Sequence, residues 1–151
     1  MRTLLAAVLS LALAGAAQAQ TMKAQSVKAG PLTLSGLQLR AAPAGLPTSA
    51  AYLTIENHGK SADKLVGIEC GCAASAMMHR TETKSGVSSM GMVGQVDIPA
   101  GGKVEFKPEG LHVMLVGLKG PLEAGHTQVM TLRFRKAGRV KAAFRVVAVI
   151  K

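Results

Sequence analysis

Two histidines and two methionines in this chain have the residue types and the spacing of a soft-metal site. Ten residues separate the first histidine from the first methionine, and the second histidine lies two positions before the second methionine. Neutral imidazole and thioether groups suit Cu(I), and a thioether binds without losing a proton. A Cu(I) site is therefore predicted, with Cu(II) as an ion that such donors can also accept, and its ligands are His79, Met90, His112 and Met114.

The second histidine and the second methionine lie in one apolar run, residues 111–118, whose pattern predicts a strand. Residues i and i+2 of a strand project from the same face, so both donors can reach one ion. His58 and His126 stand in turn-like segments and are interpreted as ordinary surface histidines.

Three further methionines lie near these candidate ligands in the sequence. Met77 and Met78 directly precede His79, and Met92 shares a strand face with Met90. Met78 or Met92 could be an auxiliary donor or could shield the site. A lone methionine in a strand is, however, more often a core residue than a metal ligand.

A single glycine separates Cys70 from Cys72. In an oxidising compartment two cysteines usually pair, which favours a local disulfide. A second Cu(I) site made of thiolates and a redox or intermolecular pair are the alternatives that the sequence leaves open.

The start of the chain has the pattern of a secretory signal peptide. Arg2 precedes an apolar stretch over residues 4–17, which ends in the small-x-small sequence Ala17-Gln18-Ala19. Cleavage of residues 1–19 would leave one domain of 132 residues, 20–151. An exported protein is expected, periplasmic in a bacterium, with an uncleaved N-terminal anchor as the alternative. No second apolar run is long enough to cross a membrane, so no span is expected in the mature protein.

The composition is that of a basic globular protein. Apolar residues make up 48% of the chain and charged residues 17%, which excludes a disordered polar tail. The formal net charge of +10 suits an acidic partner or an anionic membrane surface, or it simply keeps the outer strand faces solvated. Nucleic acid is not expected as a partner, because the chain is predicted to be exported and has one Tyr, three Phe and no Trp for base stacking.

The elements that must position these donors are short strands. Apolar residues recur with a period of two, turn sequences separate the runs, and no segment has a helical period. This pattern predicts an all-β Greek-key sandwich or barrel without an internal repeat or linker. The principal predicted strands are 32–39 (with a change of register around Ser35-Gly36), 51–56, 65–70, 77–83, 87–93, 111–118, 130–135 and 140–150.

The chain resembles the PCu(A)C family of periplasmic copper chaperones, whose motif is His-x10-Met-x21-His-x-Met. All three gaps of the motif agree here, and the similarity runs from about residue 38 to residue 149, including segments 51–57, 63–67, 98–102, 110–115 and 117–119. Two departures stand beside the motif: Arg80, where the family commonly has an acidic residue, and Gly91-Met92, where it has Arg-Pro.

This resemblance implies a single cupredoxin-like β-sandwich domain that carries copper and is not an enzyme. It further implies delivery of Cu(I) to the dinuclear copper centre of cytochrome c oxidase, with Sco-type thiol proteins as co-workers. A monomer is expected.

Other functions stay open to different degrees. Copper storage or resistance would use the same chemistry. A thiol–disulfide oxidoreductase acting through Cys70 and Cys72 would lack both the C-x-x-C spacing and a βαβ pattern. A blue-copper electron carrier would need a late cysteine ligand, and no cysteine follows Cys72. No P-loop, nucleophile elbow or H-E-x-x-H motif is present.

Overall fold

The computed structural model describes residues 25–150, so the predicted signal peptide over residues 1–19 lies outside the described residues. Those residues form strands and contain no helix, which confirms the all-β prediction. In this part of the chain there is accordingly no helix that could span a membrane. The eleven strands are β1 (Val27–Ala29), β2 (Leu32–Arg40), β3 (Thr48–Asn57), β4 (Asp63–Cys70), β5 (Ala73–Lys84), β6 (Val87–Val93), β7 (Val96–Ile98), β8 (Lys103–Phe106), β9 (Leu111–Leu118), β10 (Thr127–Phe134) and β11 (Gly138–Val147).

The strands join into one continuous hydrogen-bonded sheet in the order β6-β5-β9-β3-β2-β11-β10-β4-β7, with β1 added to β2 and β8 to β3. Of these pairs only β2 and β11 run parallel. Strands distant in sequence are neighbours, as in a Greek key. β4 and β5 lie far apart in the hydrogen-bonding order but pack against each other, so the sheet curls around one core.

The core is filled by alternate residues of each strand. In β11 the side chains of Val140, Ala142, Phe144 and Val146 are buried, whereas Arg139 and Lys141 are exposed. Each large apolar side chain buried in this way stabilises the fold by about 1.5–3 kcal/mol.

β2 changes register in its middle. Its pairing with β3 shifts between Ser35 and Gln38, and Gly36 adopts a positive φ of 60°. Such a bulge adds a residue to one strand and lets apolar residues on both sides of it face the same core. The predicted change of register around Ser35-Gly36 is thus confirmed.

The hairpin between β10 and β11 is tied to the start of β4 by a buried carboxylate. Asp63 accepts backbone N–H bonds from Lys64, Lys136 and Ala137 at 2.7–2.9 Å. Burial acts to raise the pKa of Asp63, but the N–H donors of Lys136, Ala137 and Lys64, together with the charge of Lys136, outweigh burial and hold that pKa below its ordinary value.

β5, β6 and β9 are the strands that carry the candidate ligands. β5 lies between β6 and β9, and β9 pairs on its other side with β3. A two-residue turn, Ser85-Gly86, joins β5 to β6, and both residues have positive φ (50° and 77°), as a type I′ turn requires.

Candidate metal centre

Cross-strand register brings the four predicted ligands to one face of the sheet. His79 in β5 lies directly opposite His112 in β9. Met114 shares the face of His112 because it lies two residues further along β9. Met90 in β6 lies opposite Thr81, which is on the same face of β5 as His79.

The same register places two more thioethers on this face. Met77 lies opposite Met114, and Met92 lies opposite His79. We call the six side chains together the donor face, and they are Met77, His79, Met90, Met92, His112 and Met114.

The two histidine rings are close enough for one ion to reach both. Their centroids are 6.0 Å apart and their planes are inclined by 55°. Metal–imidazole bonds are about 2 Å long, so an ion bonded to one nitrogen of each ring fits a separation of this size.

A backbone carbonyl oxygen fixes the tautomer of the second histidine. Nδ1 of His112 lies 3.0 Å from the backbone oxygen of Gly110. A carbonyl oxygen can only accept, so Nδ1 carries the hydrogen, and in the neutral ring the lone pair is on Nε2. The same Gly110 oxygen accepts the backbone N–H of Thr81 at 3.1 Å, which links this contact to β5.

The ring of the first histidine makes no hydrogen bond within the described residues. Both Nδ1 and Nε2 of His79 are hidden from solvent, and neither has a hydrogen-bond partner within residues 25–150. Polar atoms buried without a partner are costly, by about 1–3 kcal/mol in proteins. A metal ion on one of these nitrogens would offset that cost, so the donor set fits a bound soft ion.

The thioethers of the donor face differ in exposure. Met77 and Met114 are half-buried, whereas Met90 is 54% and Met92 72% exposed. Met78, considered above as an auxiliary donor, points the other way: it is 5% exposed, opposes Val113 and belongs to the core.

The donor set is soft. Among the described residues, no three His, Cys, Asp or Glu side chains form a cluster that could hold a metal ion. The sulfur of this face comes from methionine, and thioethers favour Cu(I) over zinc, which prefers thiolate, imidazole and carboxylate.

The cysteines lie outside this face. Cys70 is the last residue of β4, and Cys72 directly precedes β5. The two cysteines form a disulfide with each other. In this oxidised form neither sulfur is a thiolate. His58 and His126 also lie elsewhere, exposed and 3.5 Å from Glu56 and Glu123 respectively, as predicted for surface histidines.

Known proteins similar to this chain are of two kinds. A family model described as "Putative lipoprotein LpqE-like" matches residues 32–146. "Putative lipoprotein Lxx21020" of Leifsonia xyli subsp. xyli is 35% identical over 137 residues, which cover 89% of this chain and 81% of that protein.

The second kind consists of solved structures with the same fold. The copper-bound PCuAC domain from PmoF2 superposes with a TM-score of 0.71 at 25% identity over 83% of this chain and 99% of that domain. The apo PCuAC domain from PmoF1 gives a TM-score of 0.71 at 30% identity, with 83% and 100% coverage. The Cu(I) form of DR1885 from Deinococcus radiodurans gives a TM-score of 0.63 at 34% identity, with 88% and 87% coverage. The expected cupredoxin-like fold is therefore confirmed.

Proposed function

The chain belongs to the LpqE-like family, and from its donor face we propose that it is an exported Cu(I)-binding metallochaperone and not an enzyme. His79, Met90, His112 and Met114 hold the ion. Similarity to the copper-bound PmoF2 domain and to Cu(I)-loaded DR1885 supports the choice of metal. The lipoprotein names of the family and of its Leifsonia relative support export, and the compartment that we propose is the periplasm.

The observation that carries the proposal is the pair of unpartnered ring nitrogens of His79 beside His112. A neutral imidazole buried without a hydrogen bond destabilises the metal-free protein and favours the loaded one. His112, with its Nδ1–H on Gly110, presents Nε2 to the same ion. Met90 and Met114 complete the set with uncharged sulfur.

A set of neutral ligands suits a protein that passes Cu(I) to another protein. Four neutral ligands leave the charge of Cu(I) uncompensated, so an acceptor with thiolates binds the ion more strongly and draws it away. Met90 is more than half exposed, so the acceptor can reach the ion before it has left the donor face. This exposure favours delivery over storage. The acceptor we propose is the dinuclear copper centre of cytochrome c oxidase, with Sco-type thiol proteins as co-workers.

The test is an anaerobic Cu(I) titration of the purified protein in competition with a chromogenic chelator. We expect one tightly bound equivalent. Removal of a ligand by His112→Ala or Met114→Leu should weaken binding by more than about tenfold, because loss of even an outer partner of a metal ligand costs that much. The matched control is His126→Ala, an exposed histidine outside the donor face, which should leave the affinity unchanged.

A second variant tests the cysteines. Cys70→Ser/Cys72→Ser should still bind one equivalent with the same affinity, because the disulfide lies outside the donor face. Loss of the bound copper in that variant would move the site to the cysteines. No tight binding by the unmodified protein would overturn the chaperone proposal.

A further inference from the structure

We propose that Met92 is a further copper donor, an exchange ligand that passes Cu(I) from the histidine pair to an acceptor at the edge of the sheet. This inference rests on the proposed function and adds a fifth residue to the four ligands of the resting site.

The first argument is position. His112, His79 and Met92 form one row across β9, β5 and β6, each directly opposite the next. Directly opposed residues have Cβ atoms about 4.5–5.5 Å apart, whereas diagonal neighbours are about 7–8 Å apart. Met90 faces Thr81 and is therefore only a diagonal neighbour of His79. The Cβ of Met92 is therefore expected to lie nearer to the Cβ of His79 than the Cβ of Met90 does.

The second argument is the gradient of exposure along this row. His112 is 7% exposed, His79 is half-buried, and Met92 is 72% exposed. A donor row that runs from the interior to solvent offers the ion successive ligands in the outward direction.

The third argument is the strand on which Met92 stands. Within residues 25–150, β6 pairs with β5 alone and forms one edge of the sheet. Six of its seven residues are exposed, so an acceptor protein can approach Met92 without displacing any of residues 25–150. The acceptor that fits is a protein that presents thiolates, because these hold Cu(I) more strongly than neutral sulfur does.

The proposed step is a ligand exchange. A bond forms between Cu(I) and the sulfur of Met92 as the bond to the sulfur of Met90 breaks. The acceptor thiolate then displaces the donor-face ligands in turn. Copper stays Cu(I) throughout, and no proton leaves this chain, because a thioether carries none.

The first experiment observes the sulfur directly. The protein is labelled with 13C at the methionine methyl groups, and the resonances are assigned with Met→Leu variants. On addition of one equivalent of Cu(I) without oxygen, the methyl resonances of Met90 and Met114 should move. That of Met92 should move by a smaller amount, because its sulfur binds the ion for only a fraction of the time. That of Met130, which is fully buried in the core, should stay in place. A Met92 resonance that does not move while Met114 responds would overturn the inference and leave the proposed function intact.

The second experiment separates transfer from affinity. Met92→Leu keeps the size and apolar character of the side chain but removes the sulfur. We expect the second-order rate of Cu(I) transfer to a chromogenic chelator to fall about tenfold. The equilibrium affinity should change by less than about threefold, since Met92 is not a resting ligand.

Two controls define the outcome. Val87→Leu alters another exposed apolar residue of β6 (69% exposed), on the opposite face, and should leave the rate unchanged. Met90→Leu should weaken equilibrium binding instead. A Met92→Leu variant with the transfer rate of the unmodified protein would show that the side chain is only an apolar shield, and would overturn the inference. Absence of any tight Cu(I) binding would instead defeat the proposed function itself.

Discussion

Replacement of His79 by phenylalanine should make the metal-free protein more stable while it weakens copper binding. Both ring nitrogens of His79 are hidden from water and lack a partner within the described residues. Phenylalanine fills a similar planar volume without polar atoms. Leaving a buried polar group unsatisfied costs about 1–3 kcal/mol, so His79→Phe should raise the free energy of unfolding by an amount in that range.

The opposite change in stability is expected for His112, which lies opposite His79 on β9. His112 donates Nδ1–H to the Gly110 oxygen, so His112→Phe loses a formed hydrogen bond and leaves that oxygen with one partner fewer. The free energy of unfolding should fall by about 0.5–1.5 kcal/mol. The same substitution at two facing histidines is thus predicted to change the free energy of unfolding in opposite directions.

The assay is urea unfolding at neutral pH with a copper chelator present, followed by far-UV circular dichroism. His58→Phe, which alters an exposed histidine outside the site, is the control and should change stability by less than about 0.5 kcal/mol. The measurements are then repeated with Cu(I) at about one hundred times the dissociation constant. The unmodified protein should gain about 2.7 kcal/mol, and His79→Phe, which binds more than about tenfold more weakly, should gain about 1.4 kcal/mol or less. Destabilisation of the metal-free protein by His79→Phe equal to that by His112→Phe would refute the argument from unpartnered nitrogens.

The remaining predictions concern the scaffold. Since the pKa of Asp63 lies below its ordinary value, its carboxylate stabilises the fold above about pH 4 and that stability is lost as the pH falls through the folded pKa. Asp63→Asn should therefore lower the free energy of unfolding by about 1–3 kcal/mol at pH 7 and make it depend less on pH in the acid range, as measured by urea unfolding. Asp97→Asn, which alters an exposed carboxylate, should do neither. Equal acid sensitivity of Asp63→Asn and the unmodified protein would contradict this prediction. Gly117 has φ +70°, and a Cβ there would lie 2.8 Å from the Cβ of Ala74. Gly117→Ala should destabilise by about 1–3 kcal/mol, against less than about 0.5 kcal/mol for Gly120→Ala, where an added Cβ meets nothing within 4 Å. Similar urea midpoints for the two variants would show that position 117 of β9 tolerates a side chain.

Much of the fold could be predicted because its signals are local. β6 and β9 begin and end at the predicted residues, since period-two alternation and turn sequences bound both. β5 begins four residues earlier than predicted, at Ala73, because residues 73–76 pair with the end of β9. β11 ends at Val147 and not at residue 150, because Ala148, expected on the buried face, is exposed. β1 and β7 were not predicted, since three residues are too few to show a period.

The candidate site could be predicted only in part. Spacing along the chain singled out four donors, and which of them bind the ion remains a prediction. Strand alternation alone could have excluded Met78, because the neighbour of His79 must face the opposite side. The places of Met77 and Met92 depend on how β5 pairs with β9 and β6, and that register is a property of the folded sheet.

The turn at Ser85-Gly86 determines which side chains of β6 lie on the donor face. A two-residue loop fixes which residues of β6 oppose those of β5. If the hairpin keeps a two-residue turn, an added residue that shifts β6 by one position brings Gly91 and Val93 opposite Thr81 and His79 and turns both sulfurs away from the histidines. A turn without a ligand is therefore expected to evolve under the same selection as the ligands themselves. In an engineered relative, its length is a single parameter that would add or remove two sulfur donors without substituting either of them.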